Sequence, residues 1–242
     1  LGKSPSIATF ISDIASFDSD LFQSSKAEVT TMDPQQRKLL ELCLRNYVAI
    51  DGQLKRAVGA RTGVYLGVMW TEYQHLLVAF KTPRNSFIGT GNGLSFLVGR
   101  PSFVFGLVGP SAVLDTACSS SLVAVRLAAQ VTASGEALDA HAAGTQCMLL
   151  AATFRILSDL NALSSDGRCK TLDASADGYG RGEGFAGIYI QKKRENSVQN
   201  AAYSEESTVT ILSGGVNQDG RSSTFTAPYG PYQERLIVDS LM

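Results

Sequence analysis

The chain has 242 residues, 44% of them hydrophobic, enough to bury a substantial core as one large domain or two small ones. Charged residues make up only 18% and the formal net charge is −1, which gives no electrostatic basis for a nucleic-acid or membrane-surface partner. The four cysteines, Cys43, Cys118, Cys147 and Cys169, stand far apart with no His at ligand spacing, so neither a structural zinc nor a disulfide framework is expected, and no apolar run reaches membrane-spanning length.

In chain order, the stretch up to about Glu28 is rich in Ser and Asp and reads as loop and short turns. A helix follows. Asp33 can cap it, Pro34 suits its first position, and Leu40, Cys43, Leu44, Tyr47 and Val48 recur at helical spacing up to a stop at Gly52. Arg61–Val68 alternates as a strand. A loop-rich region then leads to the glycine-dense run Gly89–Gly93 and to two apolar segments, the second of which, Ala112–Asp115, is expected as a buried strand. Thr116–Ser121 runs into a helix over Leu122–Val131. Beyond it lie a buried strand near Ala140, a polar loop from Asn161 to Asp177, and strands over Phe185–Ile190 and Thr208–Leu212. Gln233–Met242 reads as a helix, and the charged, Ser-rich Lys192–Ser207 as a surface excursion. Helices alternating with short buried strands argue for an α/β layered fold.

The chemistry concentrates at Cys118. A buried strand followed at once by a helix of small residues places the thiol at a helix N-terminus, where unpaired backbone N–H groups and the positive end of the dipole favour thiolate over thiol. Ala117 and the serines keep the turn narrow, so the sulfur is expected to point into a cavity. The same amides are candidate donors to an oxyanion on a bound thioester. A small buried cysteine followed by capping serines remains the alternative on these residues alone.

The window Gly109–Ala124, reading Gly-Pro-Ser-Ala-Val-Leu-Asp-Thr-Ala-Cys-Ser-Ser-Ser-Leu-Val-Ala, closely resembles the nucleophile motif of the β-ketoacyl synthases. Three further blocks fit that family in order. They are Met32-Asp-Pro-Gln-Gln-Arg37; Leu163-Ser-Ser-Asp-Gly-Arg-Cys-Lys170 leading to Ala176-Asp-Gly-Tyr-Gly-Arg-Gly-Glu-Gly184; and Val216-Asn-Gln-Asp-Gly-Arg-Ser222 with Thr226-Ala-Pro228 and Gln233-Glu-Arg235. The last block resembles modular or iterative polyketide synthases more than stand-alone fatty-acid enzymes.

The resemblance implies a thiolase-like αβαβα fold, of which this chain holds the N-terminal half and the start of the second. It implies an acyltransferase in which Cys118 is the nucleophile and a backbone oxyanion donor. The acyl chain reaches it from the phosphopantetheine of an acyl carrier protein, before decarboxylative condensation with a malonyl-type extender. No cofactor or metal is expected to bind directly. The implied partners are the carrier protein, a second copy in a homodimer and neighbouring megasynthase domains, in cytoplasm or plastid. The opening without Met and the helical end make 1–242 read as a ketosynthase fragment lacking the C-terminal half, with its two histidines and lysine, and inactive alone. An apolar face left bare by the missing half implies poor solubility.

His75, in a surface loop or helix, and His141, in an apolar stretch, receive no catalytic role. Departures from the family pattern are Gly144-Thr-Gln-Cys147, where Gly-Gly-Val-Asn is usual, the Lys192–Ser207 segment, and Pro101, expected to end the preceding helix abruptly. Gly89, Gly91 and Gly93 do not complete a nucleotide-binding fingerprint and read as structural. Asp177, Arg181 and Glu183 read as a buried ion-pair network or a solvated turn, structural either way. A thiol or serine hydrolase of the α/β type fails for want of Gly-x-Ser-x-Gly and of any His after position 141. The other rival is a condensation-inactive ketosynthase-like domain acting as a dimerising or carrier-docking scaffold.

Overall fold

A computed structural model describes residues 7–51, 58–192 and 209–241. The chain divides into two compact units, Leu1–Gln191 and Lys192–Met242.

The first unit contains α1 (Lys26–Thr31), α2 (Pro34–Asp51), β1 (Thr62–Gly67), α3 (Tyr73–Ala79), α4 (Phe87–Asn92) and α5 (Leu94–Phe105). These are followed by β2 (Ser111–Leu114), α6 (Ser120–Ser134), β3 (Asp139–Gln146), α7 (Ala151–Asp159) and β4 (Gly184–Gln191). The strands form one sheet in the order β2-β1-β3-β4. β1 runs parallel to β2 and β3, and β4 closes the far edge antiparallel to β3.

The alternation in β1 is what layers the unit. Val64 and Leu66 join Leu39, Leu40, Cys43, Tyr47, Leu97 and Phe105, which come from α2 and α5 on one face. Tyr65 turns to the other face and packs with Ala124, Ala128 and Val131 of α6 and with Ala140 and Ala142 of β3. Small side chains on both α6 and β3 let that helix approach the sheet closely. β1 is buried along its whole length.

Asp33 caps α2 as expected, its Oδ1 accepting from the Gln35 N–H at 2.8 Å. Several expectations are corrected. The opening stretch ends in α1, capped by Ser25, rather than in loop. β2 is only partly buried, because it forms the open edge of the sheet. The glycine-dense run lies in α4 and at its C-cap, Gly93, and Gly91 stands so close to Thr31 that a Cβ would meet the Thr31 carbonyl oxygen at 2.7 Å. Pro101 does not end a helix. It is buried inside α5, which continues until Gly106 takes a left-handed φ of 70°. The helix persists because Leu97, Val98 and Phe105 anchor it in the core on both sides of the proline.

In the second unit, α8 (Gly230–Leu241) covers the helix expected at the end of the chain, and none of its residues is buried. Residues 209–212 form no strand, since no neighbouring strand bonds to them. Thr208, Gly52, Met242 and all but Lys192 of the Lys192–Ser207 segment lie outside the described residues.

Candidate active site

The carboxyl ends of the parallel strands β1, β2 and β3 lie at one edge of the sheet, and Cys118 stands there, on a single 3-10 turn (Ala117–Ser119) between β2 and α6. The turn is stapled by its own sequence. Asp115 Oδ1 accepts from the Ala117 N–H at 3.0 Å. The Thr116 N–H donates to Ser120 Oγ at 2.8 Å, and that hydroxyl donates to the Ala117 carbonyl at 2.6 Å. Ser119 Oγ donates to the Thr116 carbonyl at 2.8 Å. Ala117 is held at φ 56°, a left-handed conformation costing a non-glycine residue about 1–3 kcal/mol, which this hydroxyl lattice sustains.

Two glycines set the height of the turn. A Cβ on Gly67, the last residue of β1, would run into the Ser120–Ser121 backbone, and one on Gly144 of β3 would lie 2.6 Å from Ser121 Cβ. The first turn of α6 therefore rests directly on the sheet. Gly144 begins one of the departures from the family pattern, yet the residue this packing needs is present there.

Cys118 is exposed, as are Ala117 and Ser119, so the expectation of a thiol pointing into a cavity is corrected for this chain. Among the described residues none accepts from the Cys118 N–H. The remaining thiols differ. Burial pushes Cys43 up to about 12 and raises Cys147 further, with Asp33 and Glu183 adding to the latter. Cys169 is exposed, and its Sγ accepts from the Gly180 N–H at 3.3 Å. Tyr179, exposed, lies within electrostatic reach of Cys118. Burial raises its phenol, Arg181 lowers it, and Cys118 raises it.

Asp177, Arg181 and Glu183 do not form one network. Asp177 is held far down by Lys170, at 2.7 Å, and by Ser165. Arg181 lies buried, its guanidinium 4.4 Å from the centre of the Phe154 ring. Glu183 accepts from the Ile11 and Met148 N–H groups, both at 2.9 Å. Each is a local structural device.

Glu72 escaped sequence reasoning. Buried just after the β1 end, its carboxylate accepts from the N–H groups of Leu149 and Leu150, both at 2.6 Å, and from the Thr153 hydroxyl. A lone Glu between Thr71 and Tyr73 carries no signal of that role. The Asp33–Arg37 block is likewise a buried polar brace. Gln35 donates to the Trp70 carbonyl at 2.7 Å, Gln36 to the Thr90 carbonyl at 3.2 Å and Arg37 to the Ala15 carbonyl at 3.1 Å. Burial raises Asp33 to about 6, against the lowering by Gln35 and Arg37.

His75 is exposed on α3. His141 is a core residue packed edge-on against Tyr47 and Tyr189 at 4.7 and 4.8 Å, and burial lowers it to about 4. Its Nε2 has no hydrogen-bond partner among the described residues, so its environment is less complete than a satisfied core histidine would have. Among the described residues no cluster of metal-ligating side chains occurs, and no helix is long and apolar enough to cross a membrane.

Residues 1–196 match the family described as Beta-ketoacyl synthase, N-terminal domain. The chain belongs to that family. A phenolphthiocerol/phthiocerol polyketide synthase of Mycobacterium tuberculosis is 40% identical over 232 residues, which are 96% of this chain and 15% of that protein. A highly reducing polyketide synthase of Didymella fabae is 38% identical over 216 residues, 89% of this chain and 11% of that one. The ketosynthase from module 6 of the Bacillus subtilis bacillaene synthase superposes with a TM-score of 0.80 at 29% identity, covering 96% of this chain and 39% of its own. An oxazolomycin ketosynthase domain of Streptomyces albus gives 0.79 at 30% identity, covering 96% and 40%. The fold is thus the thiolase-like one of the ketosynthases, as the nucleophile motif implied.

Proposed function

We propose that residues 1–242 are part of one polyketide-synthase ketosynthase domain and that Cys118 is its acyl-accepting nucleophile. The observation that carries this reading is the placement of an exposed thiol, its own N–H unpaired among the described residues, on a strained turn at the carboxyl edge of the sheet. The Cys118 thiolate attacks the carbonyl of an acyl thioester on the carrier's phosphopantetheine. A bond forms from the sulfur to the carbonyl carbon, the Cys118 N–H supports the oxyanion, the pantetheine C–S bond breaks, and the released thiolate takes up a proton. In the second half-reaction a malonyl-type thioester loses carbon dioxide. Its α-carbanion attacks the Cys118 thioester, and the Cys118 C–S bond breaks, leaving the β-ketoacyl chain on the carrier. Neither histidine of this chain is placed to drive that decarboxylation, so the role of these residues is to load and hold the acyl chain.

The homodimer is part of the proposal, supported by β2, whose outer edge is unpaired in the sheet among the described residues. Carrier protein and neighbouring synthase domains complete the partners, in keeping with relatives much longer than this chain.

The test is acylation by an acyl N-acetylcysteamine thioester, with the modified residue mapped by mass spectrometry. Cys118 is expected to acylate at least about tenfold faster than Cys169, the other exposed thiol, and Cys118→Ala to abolish loading. Equal labelling at Cys118 and Cys169, or loading that survives Cys118→Ala, overturns the assignment and leaves the scaffold reading.

A further inference from the structure

The amino end of the sheet holds a polar cluster that the chemistry at Cys118 does not use. Thr62 and Asp139, the first residues of β1 and β3, stand opposite each other, and His141 stands opposite Tyr189 of β4. Thr62 is two residues before Val64 and His141 two before Ala143, so these side chains share the face that α2 covers. Tyr47 of α2 completes a triangle of rings, 4.7 Å from His141 and 5.9 Å from Tyr189, with His141 and Tyr189 4.8 Å apart. Burial raises both phenols, the Thr62 hydroxyl lowers them and Asp139 raises them, so that hydroxyl and that carboxylate lie beside the two rings.

Tyr47, Thr62 and His141 are only 5%, 1% and 1% exposed. Yet Tyr47 Oη, Thr62 Oγ1, Asp139 Oδ1 and His141 Nε2 are all buried, and none has a hydrogen-bond partner among the described residues. Leaving a buried polar atom unmatched is costly, and protein interiors satisfy such atoms from protein or from internal water. The Asn46 amide nitrogen lies 3.4 Å from His141 Nδ1. With that amide as donor, Nδ1 accepts, and the neutral ring carries its proton on Nε2. The cluster then offers one obligate donor, Nε2–H, one carboxylate acceptor, Asp139 Oδ1, and two hydroxyls able to do either. Water supplies two donors and two acceptors and makes about three bonds when buried, which suits such a set. A cation would meet the Nε2–H dipole with a single carboxylate to hold it, and an anion would be repelled by Asp139.

We infer that Tyr47, Thr62, Asp139 and His141 form an internal water site, in which water accepts from the His141 Nε2–H, donates to Asp139 Oδ1 and bonds both hydroxyls. The site ties α2, β1 and β3 together through one polar node inside the aromatic packing. It also opposes slippage of β1 against β3, because a shift of one residue would turn Thr62 or Asp139 to the other face. Nothing in it depends on the reading of Cys118.

The chain has two histidines, and His75 is exposed, so the ring signals of His141 are readily assigned in the full chain labelled on histidine. The carbon-bound ring protons on either side of Nε2 do not exchange with solvent, and they should show dipolar cross-relaxation to a water of long residence. Tyr47→Phe and Thr62→Val each remove one hydroxyl while keeping the shape of the side chain. Each is expected to lower the urea midpoint by roughly half a molar, although valine is the better strand former at position 62. The double variant Y47F/T62V should lose the water cross-peak. A missing cross-peak at His141 in the unaltered chain overturns the site whatever the variants do, and a midpoint that falls nonetheless then assigns the hydroxyls to direct bonds with one another. Midpoints that hold or rise in both single variants also overturn it, because the hydroxyls would then have no partner to lose. A midpoint higher in sodium chloride than in tetramethylammonium chloride of equal concentration, and made equal by Y47F/T62V, gives the place to a monovalent cation and overturns the water.

Discussion

The two ends of the sheet are built on opposite principles. At the amino end of β3, His141 is enclosed by Tyr47 and Tyr189, and aromatic rings fill the space between sheet and helices. At the carboxyl end the sheet is stripped to glycine at Gly67 and Gly144, so that backbone packs on backbone, and polar side chains do the holding. Glu72 and Glu183 between them accept from the successive amides of Met148, Leu149 and Leu150, while serine and threonine hydroxyls brace the Cys118 turn. An aromatic end is tolerant of shape and intolerant of charge. A hydrogen-bonded end fixes atoms to fractions of an ångström, which suits the role proposed for Cys118 on its exposed turn.

That contrast is broken most severely by removing Glu72. Glu72→Ala leaves two part-buried N–H groups and the buried Thr153 hydroxyl without acceptors, a loss on the order of 3 kcal/mol. The urea midpoint should fall accordingly, and amide exchange should accelerate at Leu149 and Leu150 well before it does in β1. An unchanged midpoint would mean that water replaces the carboxylate at no cost. Gly144→Ala ranks next. Its Cβ would meet Ser121 Cβ, costing about 1–3 kcal/mol of stability and lifting the first turn of α6 with Cys118 attached. Acylation of Cys118 should slow together with the loss of stability. Ser121→Gly removes the clashing atom and should restore both. Independent, additive effects of the two substitutions would show that the contact does not set the height of Cys118.

The sequence made some parts of this arrangement plain and concealed others for physical reasons. Asp33-Pro34 announced α2, because capping and a fixed proline φ are local properties. The alternation through Val64, Tyr65 and Leu66 announced β1, since its two faces meet different layers. The nucleophile motif pointed to Cys118 and to the thiolase-like fold together. What stayed hidden depends on neighbours distant in the chain. Apolar Ala112–Leu114 reads as core until the sheet order makes it an edge. Gly91 reads as loop until the Thr31 carbonyl explains why no side chain fits. Pro101 reads as a helix stop until Leu97 and Phe105 are seen to anchor both sides of it. Glu72 has no local signature, because its three partners lie some eighty residues away.

The net pH dependence sharpens the comparison furthest, because each end of the sheet holds one group displaced by burial and the two displacements oppose each other. Asp33, beside Glu72 and Arg37 at the carboxyl end, titrates near 6 when folded against 3.8 unfolded. The folded chain therefore binds more protons between those values, and this group's contribution to stability is full below pH 3.8 and is lost as pH rises through 6. His141, at the amino end, titrates near 4 when folded against 6.5 unfolded. Its contribution is full above pH 6.5 and is lost as pH falls through 4. Each displacement corresponds to roughly 3 kcal/mol across its window. Between pH 4 and 6 they cancel, so the unaltered chain should show a nearly flat stability profile there. Asp33→Asn keeps an oxygen for the Gln35 N–H and removes the carboxylate, leaving His141 uncompensated, and stability should then decline on acidification from pH 6 to 4. His141→Phe, which extends the aromatic packing, should make stability increase over the same interval. Urea denaturation at half-unit steps of pH reads both slopes. If both variants retain the flat profile, burial does not displace these two groups, and the charge-intolerant character assigned to the aromatic end fails with it.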